Sequence, residues 1–266
     1  MFEYLITEPE EIYHAQSRSG KYMSSHLLSD FRKSPLLYRK KMLGQIENKS
    51  SVAYAIGSAA HKLILEGKDA FDKEYMIADG PVNPTTGKPY DVKSQKYQQW
   101  IASVGRKILG TEDYGLIAKM DLAVSQNKEA KSLLSNGFAE KVVRAELEGV
   151  PCQIRMDWFN PEEGIVDLKT TQELEYFENE CRRFNYIYQL AFYRAVLRKA
   201  SGKTFPVRII GVEKCEPFAA GVWVITPEVL DLAELANNAA LKKVAECKKS
   251  NVWETGYERT RIIDRL

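Results

Sequence analysis

Glu146-Leu-Glu-Gly-Val-Pro-Cys-Gln-Ile-Arg-Met-Asp-Trp-Phe159, a short polar stretch, and then Gly164-Ile-Val-Asp-Leu-Lys-Thr-Thr171 decide how this chain folds. Apolar and polar residues alternate around Gln153 to Trp158, and Ile165 to Leu168 is rich in β-branched residues, so both read as strands joined by the turn Asn160 to Gly164. Side chains at i and i+2 of a strand share a face, which puts Asp167 with Lys169 and sends Leu168 into the core. Pairing across the turn brings Asp157 beside Asp167.

Two close carboxylates repel, and one takes a proton unless a cation sits between them. A hard divalent ion is the natural cation, since Mg²⁺ is held by one or two carboxylates, waters and substrate phosphate. A lysine at the same point can hold the water that attacks phosphorus, which makes phosphodiester hydrolysis the expected chemistry. A surface hairpin with an exposed Asp–Lys pair explains the same three residues, so the motif needs support from the rest of the chain.

The chain has 266 residues, 44% of them apolar, enough for a sizeable core, and its 28% charged residues nearly cancel to a net +2. A nucleic-acid surface must then come from local segregation of charge rather than from a global excess. The first residues are acidic and carry no long apolar run, so the expectation is a cytoplasmic protein without a membrane partner. Cys152, Cys181, Cys215 and Cys247 are scattered without a Cys-x-x-Cys pair, which argues against zinc knuckles and iron-sulfur clusters and for free thiols.

Elsewhere the chain reads mostly as helix. Ser24 or Ser25 can cap a short helix that Ser34-Pro35 interrupts before a second one begins. Arg32, Lys33, Arg39, Lys40 and Lys41 gather at that break, where they can cradle phosphates or simply form a solvated face. Val52 to Glu66 is a further helix, with Gly57 and His61 one turn apart on one face; the glycine suggests a close approach there, and His61 can be a core histidine or a ligand. Asp79 to Tyr90 is dense in Pro and Gly and reads as a long exposed loop. Ser94 to Leu109 and Asp113 to Leu134, broken near Gln126-Asn127, are also helical. After Thr171 come a short helix near Glu173 to Arg182 and a longer one from Tyr186 to Lys199, with Gln189 and Tyr193 spaced i, i+4. Pro227 opens a last helix to about Lys249, and the tail from Trp253 can dock on the domain or on a neighbouring subunit.

The fold this predicts is one α/β domain. It has a helical part at about 22–134 and a sheet core at about 138–225, with strands near 138–147, 150–158, 164–169, 207–213 and 219–225 in a mixed sheet flanked by helices on both sides.

In order, Gly57-Ser-Ala-Ala-His61, Glu146, Arg155-Met-Asp157, Ile165-Val-Asp167-Leu-Lys169 and Tyr188-Gln189-Leu-Ala-Phe-Tyr193 resemble the motif set of the PD-(D/E)XK nuclease superfamily in its RecB-like branch. The Ser24 to Tyr38 opening is similar to that branch too, and within it the chain most resembles RecE-type nuclease domains. The resemblance implies a restriction-endonuclease-like core and a metal held by His61, Asp157, Asp167 and the Leu168 carbonyl. It also implies catalytic roles for Asp157, Asp167 and Lys169, with Glu146 in or beside the metal shell. Gln189 and Tyr193 then position DNA. Apart from the resemblance, Arg155 and the basic cluster of Arg32, Lys33, Arg39 and Lys40 are further candidate DNA contacts by their charge. The resemblance further implies Mg²⁺, with Mn²⁺ as a substitute, and degradation of linear double-stranded DNA from 5′ ends to leave 3′ tails for a single-strand annealing protein, by a ring-shaped homo-oligomer. The usual Pro before the first Asp is Met156 here. A nuclease of other polarity, an endonuclease, or a non-enzymatic DNA-binding or annealing protein are the competing readings; the last gives no reason for Asp-x-Lys beside a second Asp.

Overall fold

The computed structural model describes residues 2–46 and 52–262. Its first half is helical: α1 (Glu10–Arg18), α2 (Ser25–Lys33), α3 (Pro35–Met42) and α4 (Val52–Glu74), then, after a short strand β1 (Tyr75–Ile77), α5 (Gln95–Val104), strand β2 (Lys107–Leu109), α6 (Thr111–Gln126) and α7 (Lys128–Leu133). Local chemistry sets several of these boundaries. Ser24 accepts a hydrogen bond from the Leu27 N–H, while Ser34 ends α2 and caps α3 with Pro35 behind it. Asn127 breaks the sixth helix from the seventh by capping the latter through the Ala130 N–H.

The second half carries β3 (Phe138–Leu147), β4 (Val150–Asn160), β5 (Gly164–Thr171), a 3-10 turn at Leu174–Tyr176, α8 (Phe177–Arg183), α9 (Tyr186–Ser201), β6 (Val207–Glu213), β7 (Ala220–Val224) and α10 (Pro227–Ser250). The strands lie in the order β3-β4-β5-β6-β7. All neighbours are antiparallel except β5 and β6, whose parallel pairing needs the long crossover through α8 and α9. At the first hairpin Glu148 (φ 50°) and Gly149 (φ 71°) form a two-residue turn of the kind that matches strand twist. The mixed α/β sheet expected from the sequence is present, with each of the five strands within a few residues of its expected position.

Helices cover both faces. On one, Leu28 and Phe31 of α2, Leu190 and Val196 of α9 and Leu241 of α10 pack on Ile154, Met156, Ile165 and Ile209. On the other, Ala59 and Leu63 of α4 and Ile117 and Met120 of α6 pack on Val166, Leu168, Ile210 and Val212. Each large side chain buried this way contributes about 1.5–3 kcal/mol, so strand β5 is clamped between two hydrophobic layers.

Four features depart from the sequence expectation. Helix α1 was not anticipated; the Gln153 side chain, fully buried, holds it by donating to the Tyr13 carbonyl and the Ser17 hydroxyl, both at 2.8 Å. Helix α5 stops at Gly105 (φ 67°), and Lys107–Leu109 pairs in parallel with Tyr75–Ile77 instead of continuing it. The helix expected to end at Glu66 resumes beyond Gly67 (φ 82°) and reaches Glu74. Gly57 faces β5, but an added Cβ would meet Thr170 Oγ1 at an ordinary 3.9 Å, so the approach does not demand glycine. The exposed 79–90 segment closes on itself through the Val82–Pro89 bridge. The tail docks on its own chain, Trp253 stacking on Tyr38 and Glu254 accepting the Leu36 N–H; residues 263–266 lie outside the described residues.

Candidate active site

The β4–β5 ladder runs from Asn160–Gly164 to Trp158–Val166 and stops there. Beyond that point the Asp157 carboxylate, rather than a backbone carbonyl, takes the Leu168 N–H at 2.9 Å. The two strands thus part at the position where both carry an aspartate. Alternation slips at the same place: Cys152, Ile154 and Met156 face one layer, yet Trp158 packs into the other. Across the β3–β4 pair, Glu140 occupies the matching slip between the Ala139–Trp158 and Lys141–Met156 partners, with φ 53°. A left-handed non-glycine residue within a strand costs about 1–3 kcal/mol and is characteristic of functional sites.

This kink gathers the side chains. His61 of α4 brings Nδ1 to 3.4 Å from Asp157 Oδ2, and ligand atoms of His61, Glu140 and Asp157 all lie within 4.8 Å of one another. Arg155 lies 3.0 Å from Glu140 and 3.6 Å from Glu10 of α1. Lys169 Nζ approaches Asp167 Oδ2 to 2.5 Å, and its other flank is the Tyr186 ring, 4.8 Å away. The Asp167–Lys169 contact is charge against charge without hydrogen-bond geometry, so both oxygens of Asp167, a residue only 1% exposed, lack a hydrogen-bond partner. Gln189 donates to the Tyr193 hydroxyl at 3.2 Å, bordering the same cleft.

Burial dominates the electrostatics. It pushes the Glu140 carboxyl up to about 8, with Asp157 adding repulsion and Arg155 opposing. It raises Asp167 to about 6 against the pull of Lys169, and raises Asp157 against Lys169, the Leu168 N–H and Arg155. Lys169 is held firmly charged, because Asp167 and Asp157 outweigh its desolvation. His61 falls to about 4, from burial and the nearby Lys169, and is therefore a neutral imidazole at any ordinary pH.

These residues fit a divalent cation. Burial works against the charge of all three carboxylates, a neutral imidazole offers a lone pair, and the buried Asp167 oxygens have Lys169 as an ionic neighbour but no hydrogen-bond partner. A hard ion satisfies each of these at once, and a donor set of carboxylates with one imidazole accommodates Mg²⁺ or Mn²⁺.

Not every expected residue arrives. Asp157, Asp167, Lys169, His61 and the Leu168 backbone converge. Glu146 does not: it is exposed near the turn end of β3, opposite Pro151, and Glu140 supplies the third carboxylate instead. Arg155 is engaged by Glu140 and Glu10 rather than open to a strand. Tyr193 is buried, 5% exposed, so Gln189 is the member of that pair which reaches the cleft surface. The basic cluster disperses: Lys33 and Lys40 are exposed, Arg39 lies over Trp253, Lys41 pairs with Asp30 at 2.8 Å, and Arg32 turns inward.

A mixed five-stranded sheet covered on both faces, with an Asp on one strand, Asp-x-Lys on the next and His and Glu beside them, defines a protein of the PD-(D/E)XK nuclease-like class. The chain belongs to the family of PDDEXK-like domains of unknown function (DUF3799), whose family model matches residues 24–264. It is also similar to a crystal structure of a protein from Eubacterium rectale described provisionally as an exonuclease. The TM-score is 0.70 at 18% identity, over 98% of this chain and 96% of that one, a likeness of fold. No curated protein matches the chain. Among the described residues no helix is long and apolar enough to cross a membrane.

Proposed function

We propose that the chain is a divalent-metal-dependent deoxyribonuclease that hydrolyses phosphodiester bonds of linear double-stranded DNA from its ends. The observation that carries this reading is the buried Asp157–Asp167 pair beside the ammonium of Lys169, an arrangement that folding stability alone would not select, because it buries carboxylates at an energetic cost.

Asp157, Glu140 and His61 would hold the ion, with Asp167 completing the shell from β5. When bound, Mg²⁺ or Mn²⁺ supplies Lewis acidity at the phosphate and lowers the pKa of water. Lys169 keeps a fixed positive charge where negative charge grows in the transition state, and its Nζ can donate a hydrogen bond that orients the attacking water. Asp167 holds that ammonium in place, and the Tyr186 ring shields its other side from solvent. Arg155 steadies Glu140 through the free state, when no cation is present.

The finer reading follows the RecE-type resemblance: a 5′-to-3′ exonuclease that leaves 3′ tails for an annealing protein and works as a homo-oligomeric ring with DNA threaded through it. Digestion of end-labelled linear duplex against a closed circle, with Mg²⁺, Mn²⁺ and a chelator, tests both levels. Cutting of the circle would replace the exonuclease by an endonuclease, and hydrolysis in chelator would remove the metal.

A further inference from the structure

Between α2 and the start of α9 lies a recess of about 80 Å³. It adjoins the candidate active site through two of its lining residues, Tyr186, whose ring lies against Lys169, and Gln189. Ser25, Ser29 and Arg32 line one wall, because their spacings of four and three residues place them on one stripe of α2. Its lining contains no carboxylate.

Arg32 is the unusual member. Its guanidinium lies 3.4 Å from the centre of the Tyr188 ring, and Asn237 Oδ1 holds it at 3.5 Å while the same amide donates to the Tyr188 carbonyl at 2.8 Å. It is half-buried, and burial lowers its pKa against the opposing pull of the Tyr188 phenol, with no carboxylate taking part. Ser25 is 6% exposed, and its hydroxyl, though near that of Tyr193, has no hydrogen bond of good geometry. A pinned, half-buried cation without a carboxylate partner, in the same recess as an unsatisfied buried hydroxyl, is a site for an anion. A guanidinium fork selects phosphate or carboxylate geometry. The volume decides how much of the ligand enters: small-molecule pockets occupy about 300–1,000 Å³, so this recess accepts a phosphate-sized group and excludes a nucleoside.

Resting on the nuclease reading above, we propose that the recess grips one internucleotide phosphate of the bound strand, with Arg32 as its cation and a positioning residue.

The test uses the full chain and a fluorescent duplex carrying a single neutral methylphosphonate, walked over the first six internucleotide positions from each end. Binding is measured in chelator, so that hydrolysis does not intervene, and turnover is measured separately with Mn²⁺. In the wild type a single position is expected to weaken binding about tenfold, the worth of one hydrogen-bonded charge pair. In Arg32→Gln that position loses its effect while the others keep theirs, KM rises with kcat nearly unchanged, and the salt slope falls by about one. Arg32→Lys, which keeps the charge and loses the fork, retains only part of the effect and serves if the glutamine variant does not fold. Equal methylphosphonate profiles in wild type and variants would overturn the proposal while leaving the nuclease standing. Sensitivity confined to a terminal phosphate would overturn the assignment to the strand interior, and a wild type that neither binds nor cuts DNA would take both readings down.

Discussion

Glu140 stands opposite Asp157 in the β3–β4 ladder, and both strands change faces at that rung. An unkinked hairpin would keep its alternation through this point. The left-handed φ of Glu140 breaks it, and the break turns two carboxylates toward His61. A cation between the two carboxylates would offset their repulsion and the cost of their burial, so the proposed metal site is laid out by the backbone itself.

Glu140→Gln is therefore expected to abolish the rise in melting temperature that Mn²⁺ produces, and to cut hydrolysis by about 10²-fold or more, the range set by loss of one transition-state contact. Glu146→Gln, at the exposed end of the same strand, should leave both within twofold. Differential scanning fluorimetry with a gel assay distinguishes them, and the reverse pattern would return the acidic role to Glu146.

Asp157→Asn, Asp167→Asn and Lys169→Ala should each reduce hydrolysis by about 10²–10³-fold while leaving duplex affinity in chelator within threefold. Lys169→Ala differs in one respect: removing the ammonium leaves the metal ligands intact, so Mn²⁺ stabilisation should persist. Wild-type cleavage by any of the three variants would reject its assigned role.

Period-two alternation made β3 to β7 readable in the amino-acid sequence, and the turn between β4 and β5 was enough to set Asp157 beside Asp167. What could not be read were the features that depend on two strands or two helices at once. The slip at Glu140 exists only in the paired hairpin, so nothing in the sequence marked Glu140, and the resemblance pointed to Glu146 instead. Helix α1 has little apolar stripe to announce it, since its attachment is the polar contact of Gln153 with the Tyr13 carbonyl. The cations around Ser34 look alike in sequence, yet their fates are set by Trp253, Asp30 and Tyr188, distant or unremarkable neighbours that only the fold brings near.

Arg194, 3% exposed, ties α9 to α10 through Asp231 at 2.5 Å and Glu234 at 3.2 Å, and Glu234 also holds Arg198. Removing one partner of a buried pair strands the other, at a cost of about 3–5 kcal/mol. Asp231 remains in Glu234→Ala, which argues for the lower end, a fall of about 6–12 °C in melting temperature at ~2–4 °C per kcal/mol. Metal binding should be unchanged. A melting temperature within about 2 °C of wild type would show that the network contributes specificity rather than stability.

The last prediction concerns pH, and its sign follows from which groups carry protons in the metal-free fold. Glu140, raised to about 8, and Asp167, raised to about 6, keep protons that the unfolded chain has already released. The metal-free fold therefore loses stability as pH rises from the ordinary carboxylate range toward 8. His61, lowered to about 4, acts oppositely, its contribution fading as pH falls from the usual 6.5 toward 4, and above that range it has no proton to give up. A cation must displace the carboxyl protons to bind. Affinity for Mn²⁺ should thus rise by about one power of ten per pH unit between 6 and 8, where Glu140 titrates, more steeply below 6, where Asp167 joins it, and level off above 8. In Glu140→Gln, which no longer gains stability from Mn²⁺, the metal-free protein should melt higher than wild type at pH 8, because the variant no longer has to hold a proton against solution. Calorimetric titrations of Mn²⁺ on the wild type from pH 5.5 to 8.5, with melting curves of both metal-free proteins, read this, and a flat profile in the wild type would mean that the carboxylates are ionised before the metal comes.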